Sequence, residues 1–129
     1  MVNTIWYWIR DTDKTPQHLP LQKLLRAIVG KLNGQSFELN ISRSCGYGMQ
    51  IREWDLQLES NDKIPVMFDI LDKVCSGESE WFYFLEAECV SKNLIVYFGL
   101  HDSSALYIDA PEEFSTSIAR LFIDVTEQI

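Results

Sequence analysis

Two long stretches, "SEWFYFLEAECV" (79–90) and "NLIVYFGL" (93–100), are dense in aromatic and β-branched residues and are separated by a short polar link. Such residues fit the pleated surface of a sheet. A link this short makes an antiparallel hairpin the economical connection. "LIVYFGL" on an open sheet edge would be an aggregation hazard, so a central or paired position is expected for it. In the first stretch, side chains alternate between faces. Trp81, Tyr83, Leu85, Ala87 and Cys89 read as core, and Phe82, Phe84, Glu86 and Glu88 read as the opposite face.

Around this hairpin the hydrophobic period switches between 2 and 3.6. "NTIWYWIR" (3–10) reads as a strand with bulky residues on both faces. Leu21, Leu24, Leu25, Ile28, Val29 and Leu32 form one helical stripe, opened by Pro20 and closed by "NG". "QSFELNIS" (35–42) alternates strictly, and "REWDLQLES" (52–60) alternates with Trp54, Leu56 and Leu58 inward. These two are expected to pair as a hairpin across a glycine-bearing loop at 43–49. Residues 61–75 return to helical spacing through Ile64, Met67, Phe68, Leu71, Val74 and Cys75, with Pro65 near the start. Asp109 and Glu112 resemble a capping box. They open a third stripe of Phe114, Ile118, Leu121, Phe122 and Val125 that runs to the C-terminus.

The resulting order is β-α-β-β-α-β-β-α, with a short extra strand near Tyr107. It implies one α+β domain over 1–129: a mainly antiparallel sheet of five or six strands with three amphipathic helices on one face. No internal repeat, low-complexity tract or linker interrupts it.

The net charge of −8 is unevenly distributed. Residues 1–32 hold five Lys and Arg against two Asp, whereas residues 33–129 hold six against seventeen Asp and Glu. An acidic domain repels nucleic acid and anionic membrane and attracts basic proteins. No apolar run is long enough to cross a bilayer, and the N-terminus lacks the pattern of a signal peptide. Three widely spaced cysteines, Cys45, Cys75 and Cys89, point to a reducing compartment, so the cytoplasm is expected.

Chemistry-bearing motifs are sparse. There is no CxxC, HxxxH or CxH spacing for zinc. "SCGYGMQ" lacks the lysine and helix of a phosphate loop. "DTD" (11–13) lacks the glycine and terminal glutamate of a calcium loop. No cofactor or metal is therefore expected. His101 and Asp102 at a strand end, with Cys45 in its loop, are the only candidates for a small enzyme or ligand pocket. The inward stripes carry no polar group of the sort a pocket needs, which favours a packed core and a non-catalytic protein.

The acids are more informative. Glu53, Asp55 and Glu59, with Glu86 and Glu88, fall on outward positions of expected strands without an intervening lysine. Like charges crowded on one sheet face are unfavourable, so their retention points to steering of a basic partner. Phe82 and Phe84 share the side of Glu86, where they either supply aromatic anchors or are covered by a helix or by Trp6 and Trp8. Together with "WDLQLES" and "EWFYFLEAE", this small, acidic, cysteine-poor, aromatic-rich chain resembles the bacterial immunity proteins of toxin–immunity pairs, including contact-dependent inhibition systems and polymorphic toxins. The resemblance covers the whole chain in character and assigns no role to any position. It implies a cognate toxin domain as partner, often a basic nuclease, blocked at its active site or substrate surface. The alternatives are the enzyme or ligand-binding domain built on His101, Asp102 and Cys45, and a regulatory subunit that self-associates through hydrophobic edge strands.

Overall fold

The computed structural model describes residues 3–10 and 18–128, and for His18 and Leu19 the backbone alone. The elements are β1 (Thr4–Arg10), α1 (His18–Lys31), β2 (Glu38–Tyr47), α2 (Met49–Leu58), β3 (Ile64–Val66), α3 (Phe68–Cys75), β4 (Trp81–Ser91), β5 (Leu94–His101), β6 (Ala105–Pro111), α4 (Glu112–Ala119) and β7 (Asp124–Glu127). The strands form one sheet in the order β3-β2-β4-β5-β6-β1-β7, with every pairing antiparallel. The α+β class and the antiparallel sheet agree with the sequence reading. The described residues hold seven strands and four helices, one more of each than the upper expectation.

The core lies between the helices and one face of the sheet. Leu21, Leu24, Leu25 and Ile28 of α1 are fully buried against Ile9, Ile41, Leu85, Val96, Phe98, Leu106 and Ile108 of the strands. Each such side chain contributes roughly 1.5–3 kcal/mol of transfer free energy. Helix α4 is docked by hydroxyls as well as by Ile118. Ser115 Oγ donates to the carbonyls of Ile5 and Ala110, at 2.8 and 3.2 Å. Arg26 and Asp72 tie α1 to α3 through two parallel bonds of 2.9 and 3.0 Å.

The β4–β5 hairpin forms as expected, closing from Ser91 to Leu94 with Lys92 at φ 49°. The segment 93–100 is interior, between β4 and β6. The sheet edges are three and four residues long, and β3 carries Pro65. Short edges and proline limit strand addition by another chain.

Several boundaries differ from expectation. Residues 52–60 are largely helical, within α2. Ile51, Trp54 and Leu58 stand at i, i+3 and i+7, and that stripe faces the core while Leu56 is exposed. The period-2 alternation of Trp54, Leu56 and Leu58 was ambiguous because Trp54 and Leu58 satisfy both patterns. The hairpin between 35–42 and 52–60 therefore does not exist, and β2 pairs with β3 and β4 instead. Residues 43–47 continue β2 through register shifts instead of forming a loop. Of 61–75, only Phe68–Cys75 is helical. Pro65 lies in the edge strand β3, where its missing N–H is tolerated. The segment near Tyr107 is a full strand of seven residues. Asp109 lies within that strand, and Pro111 stands at the helix N-cap. Helix α4 ends at Ala119, and the chain returns as β7, with Leu121 exposed.

The most consequential correction is inside β4. Cys45 pairs with Phe84 and Gly46 pairs with Phe82, so Tyr83 is an extra residue on the β4 side. This β-bulge reverses the alternation before it. Phe82 points into the core, 4% exposed, and stacks on Trp54 at 6.3 Å. Trp81 and Tyr83, expected in the core, are 38% and 44% exposed. From Phe84 onward the expected phase holds, with Leu85, Ala87 and Cys89 buried.

Candidate functional site

The face of the sheet opposite the helices is built from side chains that the helix-packed core does not use. Cross-strand register arranges it in rows. One runs Pro65, Asn40, Glu88, Tyr97, Asp109, Trp6. The next runs Arg43, Glu86, Gly99, Tyr107, Trp8, Thr126. A third begins with Cys45 and Phe84 and continues to His101, whose ring meets Phe84 edge-on at 5.4 Å.

Aromatic contacts knit the rows. Trp6 stacks on Tyr107 at 4.7 Å, and Trp8 meets Trp6, Tyr107 and His101 at 5.5–6.1 Å. Gly99 makes this possible. A Cβ there would overlap the Leu85 carbonyl and come within 2.9 Å of Tyr107 Cε1, so the tyrosine ring covers a position that only glycine can occupy. Near the exposed corner Tyr47 stacks on Trp81 at 4.5 Å. The Trp6 indole N–H is buried and donates to no described acceptor, an arrangement that costs about 1–3 kcal/mol.

The electrostatics of the face converge on Tyr107 and Asp109. Burial pushes the Tyr107 phenol up, and the carboxylates of Glu86 and Asp109 push it further. Burial also raises the Asp109 carboxyl, an effect that a hydrogen bond from Thr4 partly offsets. Lys63 pairs with Glu88 at 3.1 Å. Arg43 is opposite Glu86 in register, but its guanidinium lies 4.0 Å over the Phe84 ring, a cation–π arrangement.

The expected acidic face is thus divided. Glu86 and Glu88 project from β4 on the helix-free side, whereas Glu53, Asp55 and Glu59 belong to α2 and its C-cap on the other side of the sheet. Phe84 stands with Glu86 on the open face. Phe82 is covered by Trp54 and removed from it. The residues that sequence reasoning missed are Trp6, Trp8, Tyr97, Tyr107 and Asp109. A signal for them existed in the bulky both-sided strand 3–10 and in the alternation of Tyr97 with Val96 and Phe98.

The candidate catalytic residues do not form a site. Cys45 and His101 stand on β2 and β5 with the Phe84 ring between them, and Asp102 lies in the turn beyond β5 at φ 51°. Cys45, Tyr47, Met49, Arg52, Asp55 and Glu80 line a pocket of about 610 Å³ beside the start of α2. The Glu80 carboxylate there is engaged, accepting from the backbone N–H groups of Gln50 and Ile51 at 2.8 and 3.1 Å. Among the described residues, no three His, Cys, Asp or Glu side chains group to hold a metal ion, and no helix is long and apolar enough to cross a membrane.

Comparison with family models, with curated proteins and with solved structures finds no match to this chain.

Proposed function

We propose that the protein is a binding module of the immunity type, which neutralises a basic, nuclease-type toxin domain by covering its active site or substrate surface. The observation that carries this reading is the helix-free sheet face, where Glu88, Tyr97, Asp109 and Trp6 alternate along one cross-strand row and Glu86 and Trp8 stand in the next. Aromatic anchors beside carboxylates are the composition of an interface hot spot. The net charge of −8 adds long-range attraction for a cationic protein. A second copy of the chain is a poorer occupant, because a symmetric face-to-face dimer would oppose these carboxylates to one another. On this reading the protein works in the cytoplasm, where its free thiols at Cys45, Cys75 and Cys89 stay reduced.

The test is capture of the partner from the native host, followed by association kinetics. Glu86→Lys with Glu88→Lys is expected to slow association at low salt by at least about tenfold and to flatten its salt dependence. A captured partner whose association ignores both salt and this double reversal would remove the acidic-face mechanism. Capture of no basic protein would remove the immunity reading itself.

A further inference from the structure

We infer that Tyr97 and Asp109 form an arginine-recognition site on the open face: a guanidinium from the partner stacks on the Tyr97 ring and is held by the Asp109 carboxylate. This rests on the binding-module reading and names the group that the partner presents. Tyr97 is 47% exposed, and its neighbours in register are carboxylates on both sides, Glu88 on β4 and Asp109 on β6. Adjacent strands lie about 4.8 Å apart, so an ion lying on the ring is within reach of either.

The same face already holds one guanidinium over an aromatic ring. Arg43 lies over Phe84 with Glu86 opposite it in register. At the Arg43 end the sheet supplies ring, carboxylate and cation. At the Tyr97 end Glu88 is bonded to Lys63, while Asp109 has a described partner only in the Thr4 hydrogen bond. A partly buried carboxylate beside an exposed ring favours a cation that is weakly hydrated, planar and able to stack. Arginine has those properties and lysine does not. A planar fork can lie on the ring and still direct N–H groups at Asp109.

The probes are an oligo-arginine peptide and an oligo-lysine peptide of equal length, titrated at low salt into the intact protein. The peptide-bound amides are mapped by backbone NMR shifts. Oligo-arginine is expected to bind more tightly than oligo-lysine, with shifts centred on β5 and β6. Tyr97→Leu is expected to weaken the oligo-arginine complex about two- to fivefold, the size of an exposed cation–π contact. Tyr97→Phe should retain it, since the ring remains, and Asp109→Asn should weaken it by up to about fivefold. Equal affinity for the two peptides, no binding of either, or wild-type affinity in both Tyr97→Leu and Asp109→Asn would overturn the inference. Binding lost on reversal of Glu53, Asp55 and Glu59 but not in Tyr97→Leu would also overturn it. In that outcome the binding-module reading survives on the α2 surface.

Discussion

Glu80 lies 30 residues from Gln50, yet its carboxylate supplies the cap that α2 lacks locally. The N-cap position is Gly48, which has no side chain to offer, and its φ of 134° is one that L-residues rarely adopt. A Cβ on Gly48 would also collide with the Glu80 side chain. The carboxylate meets two orphan N–H groups and the positive end of the helix dipole. Glu80→Ala is therefore expected to cost about 0.5–2 kcal/mol, the range for loss of an N-cap, and Glu80→Gln less, because an acceptor oxygen remains. Urea unfolding midpoints of the two variants check this, and equal loss in both would mean that the hydrogen-bond geometry is not what stabilises α2. None of this was legible in the sequence. A cap is recognised by a polar residue immediately before the helix, and here that residue is glycine while the acceptor arrives from another element. Without a local cap to mark a helix start, the alternation within 52–60 reads as a strand.

At the scale of elements, the β4–β5 hairpin, helix α1 and the antiparallel sheet were legible because each rests on long, local periodicity. The phase of Trp81–Phe84 was not, because one bulged residue moves every side chain before it to the other face. Four consecutive aromatics carry no polar marker to report the slip. The bulge makes a prediction that plain alternation reverses. Phe82→Ala, which empties the space under Trp54, is expected to cost about 3–5 kcal/mol. Tyr83→Ala, at an exposed position, should stay within about 0.5 kcal/mol. Denaturant unfolding of the pair decides between the two phases, since a larger loss at Tyr83 would return Tyr83 to the core and Phe82 to the surface. The candidate face followed the same divide. Glu86, Glu88 and Phe84 lie beyond the bulge and keep the face that alternation gives them, whereas Phe82 lies before it. Asp109 was missed because it reads as a helix cap, and Tyr107 because only a short strand is expected around it.

Across the whole molecule, the core and the open face share a dependence on groups that stay neutral. Burial pushes the Cys89 thiol up to about 11 and raises that of Cys75 further, with the Asp72 carboxylate adding to the latter. Tyr107 is raised by burial and by Glu86 and Asp109. All three are acids whose neutral form the folded chain prefers. Above about pH 9 the unfolded chain releases its thiol protons, and above about pH 10 its phenol protons, while the folded chain still holds them. The folded state then binds more protons, so stability must fall as pH rises through this window. The urea midpoint is expected to be lower near pH 10.5 than near pH 8, by an amount equivalent to a few kcal/mol. Cys89→Ala is expected to be less stable than the native chain near pH 8 but to lose less between the two pH values, because one of the linked protons is gone. Binding of a cation at Asp109 would act in the opposite sense on that carboxyl, since a nearby positive charge favours its ionised form. A midpoint that does not change between pH 8 and pH 10.5 would show that the buried thiols and Tyr107 do not set the alkaline limit of the fold, and a Cys89→Ala variant with the native slope would remove Cys89 from that role.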